Sequence, residues 1–148
     1  MSEIIDASTR NAMALAIKTS LDAGGASGDV QLWDGSVPAV TTDVPSGSLM
    51  ATIGLAYPCG TVADGMLTLT PTTRDPSVAV SGSPTFARFR SASGTVVLIR
   101  EIMLAADYDA LGIDEQTALG PVIRLNYALA AGTPINFAGT LAIVIQGG

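Results

Sequence analysis

The sequence predicts a mainly β domain, an antiparallel β-sandwich (immunoglobulin-like or jelly-roll-like) with one N-terminal α-helix. A clear helical period occurs at residues 8–23, and from Val30 onwards apolar residues recur at every second position. Short apolar segments then follow one another, separated by Pro, Gly, Asp and Ser. Because 148 residues suit a single domain, we expect a helical N-terminal segment at residues 1–28 and a β-sandwich at residues 29–148.

The predicted helix has Ser8 as its N-cap and a double glycine as its stop. Met13, Ile17 and Leu21 recur at i, i+4 and i+8 and form its apolar stripe. The flanks of the stripe are rich in alanine and poor in charge, which is typical of a helix packed on two faces. We therefore expect these three residues to contribute to a contact with another molecule.

Beyond a first strand at Val30 and Leu32, the sequence predicts seven more strands, each bounded by turn residues. Residues 36–48 contain two prolines and a glycine and are predicted to form a loop that crosses the domain. Residues 105–120 are acidic and lack an apolar period, so we expect an exposed excursion with at most one helical turn. The predicted turns include 58–60, 64–65 and 75–76, and the strand candidates are 49–57, 61–70, 77–80, 84–91, 95–102, 122–128 and 139–146.

The clearest predicted hairpin joins the fourth and fifth of these candidates through a Ser-Ala-Ser-Gly turn. Arg88 and Arg90 are two residues apart and are expected on one sheet face, with Phe89 on the other. The two arginines, with Arg100 on the next strand, are candidate interface residues. They could pair with Glu101 or with acids of a neighbouring subunit, or they could form a solvated face.

The chain carries few charges for a fully solvated domain, since charged residues make up 14% of it and hydrophobic residues 48%. We therefore expect neighbouring subunits to cover part of its surface. The net charge is −6 and Lys18 is the one lysine, which argues against binding to nucleic acid or to a membrane surface. The charge-free stretches 44–63 and 125–148 are interrupted by turn-forming residues, so neither is expected to span a membrane. The first residues of the sequence do not predict a secretory signal.

Histidine is absent from the sequence, which excludes Ser-His and Cys-His catalytic systems and removes the commonest zinc ligand. The lone Cys59 has no basic neighbour in the sequence to stabilise a thiolate and no second cysteine with which to form a disulfide. We therefore predict that the protein is not an enzyme and needs no cofactor. A carboxylate-based enzyme is the weakest of three hypotheses, because the sequence identifies no acidic pair.

Asp107, Asp109, Asp114 and Glu115 are the best candidates for a metal site, because calcium prefers several oxygen ligands close together. An EF-hand loop that begins at Asp107 would require a glutamate where Ala118 stands, so this motif fails. A solvated acidic loop is the favoured interpretation, and no metal is predicted.

Three aromatic residues, Trp33, Tyr57 and Tyr108, are candidate ligand contacts because their rings could stack on a sugar. They support the second hypothesis, a carbohydrate- or receptor-binding module. A sole tryptophan within a strand is more often a core residue, so the core is the favoured location for Trp33.

Turn and packing residues recur in three stretches. They are GDVQLWDGSVPA at residues 28–39, GSLMATI at 47–53 followed by FARFR and SGTVVL at 86–98, and LNYALAAGTPI at 125–135. Together these stretches resemble a family of small virion structural proteins of tailed bacteriophages. The resemblance covers about residues 12–145. It departs at residues 102–121, where the family has a shorter connection, so the acidic residues there lie outside the shared pattern.

The resemblance implies a non-enzymatic structural subunit of a tailed-phage particle. Such a subunit would be a head decoration or cement protein, or a minor tail or head-tail protein. Its partners would be other virion proteins and further copies of the same chain, and its location would be the virion, after synthesis in the host cytoplasm. The alternative is a carbohydrate- or receptor-binding module of a phage or bacterial surface protein.

Overall fold

A curled seven-stranded sheet and a helix packed against it form the framework of the computed structural model, which describes residues 4–73, 77–119, 122–125, 128–135 and 141–144. The elements in chain order are α1 (Ala7–Leu21), β1 (Asp29–Trp33), β2 (Leu49–Ala63), β3 (Met66–Thr73), β4 (Phe86–Arg90), β5 (Val96–Leu104), α2 (Ala105–Asp109), α3 (Ile113–Leu119), β6 (Val122–Leu125) and β7 (Leu141–Val144). Across the sheet the strand order is β6-β5-β4-β1-β2-β3-β7.

The predicted fold class is confirmed in its coarse form, since the protein is mainly β with an N-terminal helix. The two layers of a sandwich are not confirmed, because the described strands belong to one half-barrel sheet. Strands β5 and β6 pair in parallel, whereas all other described strand pairs are antiparallel. A parallel pair needs a long crossover connection. Helices α2 and α3 form this crossover, where at most one helical turn was predicted.

Strand β2 continues through residues that were predicted to form a turn. Residues 58–60 lie inside β2, at a point where its pairing with β3 shifts register. A bulge of this kind absorbs an irregular segment without ending the strand. The chain reverses instead at Asp64 and Gly65, a predicted turn that is confirmed. Their φ angles of 54° and 73° are positive, as two-residue hairpin turns require.

Residues 77–80 form no strand, contrary to the prediction, because their backbone bonds to the irregular segment 128–133. The amide of Val78 donates to the Thr133 carbonyl at 2.8 Å, and the Gly132 amide donates to the Val78 carbonyl at 2.8 Å. The predicted turn at residues 75–76 lies outside the described residues. So do parts of the last two predicted strands, namely residues 126–127, 139–140 and 145–146.

Helix α1 begins at a different cap from the one predicted. Asp6 is the N-cap, and its carboxylate accepts a hydrogen bond from the Thr9 amide at 3.2 Å. Ser8, the predicted cap, lies inside the first turn and donates its hydroxyl to the same carboxylate. Hydrogen bonds from Ser8 and then Thr9 lower the pKa of Asp6.

The side of α1 that faces the sheet carries Ala14, Ile17 and Leu21. Ala14 and Leu21 are wholly buried and Ile17 packs against the core, whereas Met13 is 44% exposed. Each residue turns the helix by about 100°, so Met13 points well away from Ala14 and Leu21. Met13 therefore lies outside the buried face of α1, and its contact with another molecule stays a prediction. Leu21 belongs to the core of its own chain and is not accessible to another molecule.

The side chain of Asn11 in α1 and that of Asp22, the C-cap, attach the helix to the β2–β3 hairpin. The Asn11 side-chain oxygen accepts a hydrogen bond from the Gly65 amide at 2.6 Å. The Asp22 carboxylate accepts one from the Cys59 amide at 2.8 Å and also pairs with Lys18 at 2.9 Å. The helix is thus attached near both of its ends, and it covers the core face of the sheet.

Candidate interaction surface

Strands β1 and β4 place a polar and aromatic cluster on the sheet face opposite the core. Successive side chains of a strand point to opposite faces, and the β1 residues that alternate with Gln31 and Trp33 lie in the core. The antiparallel register sets Arg88 opposite Gln31 and Phe86 opposite Trp33. We call these four residues the arginine–tryptophan cluster.

Trp33 is half-buried in this cluster and is not part of the core, so the core interpretation is wrong. Its ring stacks on that of Phe86, with ring centres 6.5 Å apart and an angle of 5° between the planes. Its indole N–H donates to the side-chain oxygen of Gln31 at 3.2 Å, which gives that buried oxygen a hydrogen-bond partner. These contacts hold the indole ring in one orientation.

Arg88 and Arg90 share this face, but they differ in their partners. Arg90 donates two hydrogen bonds to the carboxylate of Asp29, at 2.8 and 2.6 Å, and this pairing raises its pKa. Arg88 forms no ion pair with any described residue, Glu101 included, and its Nε is buried without an acceptor among them. Its guanidinium carbon lies 5.7 Å from the centre of the Trp33 ring. Burial and then the charge of Arg90 lower the pKa of Arg88.

Arg100 does not join the other two arginines. It lies opposite Ala87, whose side chain is in the core, so Arg100 is on the opposite sheet face from Arg88. Burial lowers the pKa of Arg100. The sequence placed the three arginines on adjoining strands but could not show that one belongs to a different face.

A groove of about 310 Å³ lies beside the cluster, between strand β5 and the loop that joins β1 to β2. Its apolar lining includes Val37 and Val40 from the loop and Val97 and Ile99 from β5, and we call it the valine groove. Ile99 is directly opposite Arg88 in the β4–β5 pairing, so the groove and the cluster adjoin. Since β4 lies between β1 and β5, the loop reaches past β4 to contact β5.

Hydrogen bonds hold this loop in place at its ends and in its middle. The Asp34 amide donates to the Ser48 carbonyl at 3.2 Å, which closes the loop, and the Thr85 hydroxyl donates to the Gly35 carbonyl at 2.7 Å. The Asp43 carboxylate accepts from the amides of Ala39 and Val40 at 3.1 and 3.3 Å. The groove is therefore preformed. The one signal for it in the sequence is an uncharged run, Val-Pro-Ala-Val, within a predicted loop.

No protein-family model, curated protein or solved structure matches this chain. Within the described ranges, no helix has both the length and the apolar character needed to cross a membrane.

The acidic candidates lie on the crossover between β5 and β6. Asp107 and Asp109 belong to α2, and Asp114 and Glu115 begin α3; all four are exposed. None of them takes part in an ion pair with a described residue. Within the part of the chain that the structure describes, no group of three or more acidic, histidine or cysteine residues is placed to hold a metal ion.

The three aromatic candidates have separate surroundings. Trp33 stacks on Phe86, whereas Tyr108 in α2 has the Arg124 guanidinium 5.1 Å from its ring centre. Tyr57 is 52% exposed and lies close to Gly25, just beyond α1. The structure therefore does not place the three rings side by side on one platform.

Cys59 is wholly buried beneath the end of α1. Burial, and then the charge of Asp22 nearby, raise the pKa of its thiol to about 12. Because the thiolate is the reactive form, the geometry explains why this residue suits a structural role.

We expect Cys59 to resist a thiol reagent at pH 8 in the folded protein and to react rapidly in denaturant. The raised pKa leaves very little thiolate at that pH, and burial hinders the reagent. The rate of thiol modification is followed by absorbance. The variant Ser20→Cys, which adds a thiol at an exposed helix position, is the control and should show one fast and one slow thiol. Equal rates for both would contradict the burial of Cys59.

Proposed function

We propose that this protein is a non-enzymatic structural subunit of a tailed-phage particle that works through contacts with other proteins. The observation that carries the proposal is the exposed apolar surface of the β1–β2 loop. Val37, Val40 and Val44 are 39%, 55% and 89% exposed there. Exposed apolar patches of this kind are typical of protein interfaces. Only 14% of the residues are charged, so these exposed valines favour a protein whose surface is partly covered by neighbouring subunits.

The fold and the sequence resemblance support the same proposal. The resemblance at residues 28–39 includes the first part of the β1–β2 loop and Trp33 of the cluster. A half-barrel has one face covered by α1, so a neighbouring subunit on the other face would supply the second layer of the expected sandwich. Position as a head decoration, cement, minor tail or head-tail protein is equally compatible with these contacts. Carbohydrate binding is the weaker alternative, because the three candidate aromatic rings have separate surroundings.

Quantitative mass spectrometry of purified phage particles tests the proposal. We expect the protein in several copies per particle, enriched over the lysate in parallel with the major coat protein. An abundant non-structural protein of the same lysate is the negative control. A protein that is abundant in the lysate but absent from purified particles would contradict the structural role. In that case specific binding on a glycan array, lost in Trp33→Ala, would identify the alternative.

A further inference from the structure

We propose that the valine groove and Arg88 bind the acidic start of α3 from a second copy of this chain. The bound segment is Ile113-Asp114-Glu115, which we call the acidic knob. The inference rests on the proposed role as an assembly subunit and names one partner of that role. It joins a groove that adjoins an arginine with a segment whose side chains are exposed.

The first surface is a preoriented cation beside an apolar groove. Arg90 is neutralised within its own chain by Asp29, but Arg88 has no carboxylate partner among the described residues. Its guanidinium is held above Trp33, so little side-chain entropy would be lost on pairing. A half-buried guanidinium beside apolar walls favours a carboxylate partner, because the interaction is screened less there than in open solvent.

The second surface has the complementary chemistry in the complementary order. Ile113 is 81% exposed, an unusual position for a large aliphatic side chain at the surface. Asp114 and Glu115 follow it directly, and both are exposed and outside any ion pair with the described residues. The isoleucine fits an apolar groove of about 310 Å³, while the carboxylates that follow can reach the arginine at its side.

The two surfaces lie on different parts of the molecule. The acidic knob belongs to the crossover that contacts β5 and β6 at one edge of the sheet, whereas the groove lies on the side of β5 towards β4 and the β1–β2 loop. A contact between unlike surfaces is heterologous and joins subunits head to tail, giving a ring or an open chain of copies. Both arrangements suit a repeated subunit in a particle.

Charge reversal on each surface tests the inference by sedimentation velocity on the full chain. We expect the wild type to associate as its concentration rises and less so at high salt. Arg88→Glu, and separately Asp114→Arg with Glu115→Arg, should each weaken association about 30-fold or more, as removal of one partner of a close charge pair does. In an equimolar mixture of the two variants, the intact knob of one meets the intact groove of the other, and the reversed knob and reversed groove also carry opposite charges, so association should return. All three changes in one chain should restore longer assemblies.

Ala12→Glu with Ala16→Glu on the exposed side of α1 is the matched control, since it alters the net charge by the same amount as Arg88→Glu. It should associate like the wild type, and circular dichroism should show every variant folded. A wild type that stays monomeric at all concentrations, an Arg88→Glu variant that associates normally, or a mixture that stays monomeric would each overturn the inference. The particle role is tested separately by mass spectrometry and would survive these outcomes. Absence from particles together with a successful charge reversal would leave the head-to-tail contact and remove the role.

Discussion

Leu21→Asp should remove most of the stability of the protein. Leu21 is wholly buried between α1 and the sheet, so the change loses about 2 kcal/mol of apolar burial and adds the cost of an unpaired buried carboxylate. We expect a total loss of about 4 kcal/mol or more, which is a large part of the roughly 5–15 kcal/mol that stabilises a typical domain. Urea unfolding followed by Trp33 fluorescence and far-ultraviolet circular dichroism measures the change.

Met13→Asp is the matched control on the same helix. Met13 is 44% exposed, so its replacement should cost about 1 kcal/mol or less. The losses of unfolding free energy in the two variants show whether the buried face of α1 is the one seen in the structure or the one that a spacing of four residues predicts. A larger loss for Met13→Asp than for Leu21→Asp would mean that the helix packs through a different face.

Gly60→Ala should also destabilise the protein strongly. Gly60 lies in β2 opposite Leu69 of β3, and a Cβ at this position would overlap the carbonyl oxygen of Thr68. Backbone atoms of a paired strand cannot move aside without breaking hydrogen bonds, so we expect a loss of about 3 kcal/mol, at the upper end of overpacking effects. Thermal and urea unfolding would show it as a lowered midpoint.

Gly112→Ala provides the comparison for that result. A Cβ at Gly112 would meet nothing within 4 Å, and its φ is not in the left-handed region. Its replacement should change the free energy of unfolding by about 1 kcal/mol or less. If Gly60→Ala lowered the free energy of unfolding no more than Gly112→Ala, the two strands β2 and β3 would not approach each other closely at the bulge.

Local patterns were sufficient where one short segment controls its own conformation. The helix was placed to within two residues because alanine-rich periodicity and a double glycine delimit it. The Asp64-Gly65 turn was predicted because both residues tolerate positive φ. The β4–β5 hairpin was also predicted, including the shared face of Arg88 and Arg90. In each case the determining interactions are between residues close in the chain.

Long-range pairing overrode local patterns in the middle of the chain. Pro-Cys-Gly at residues 58–60 is typical of a turn, yet β2 runs through it. Pairing with β3 and the hydrogen bond that the Cys59 amide donates to the Asp22 carboxylate stabilise an extended bulge there. The parallel pairing of β6 with β5 was likewise missed. Its crossover helices are too short to produce a recognisable apolar period.

The candidate interaction surface shows the same division most clearly. The apolar pattern indicated a β-rich chain, and the composition indicated too few charges to face water on all sides. Residue type and position in the predicted strands singled out Trp33, Arg88 and Arg90 as candidates. Strand register then made the two arginines unequal, because it set Asp29 opposite Arg90 and Gln31 opposite Arg88. The groove depends on a loop that crosses β4 to reach β5, a contact between residues about 60 positions apart. No local pattern encodes such a contact, because it arises only when the whole sheet has formed and each strand has found its neighbour.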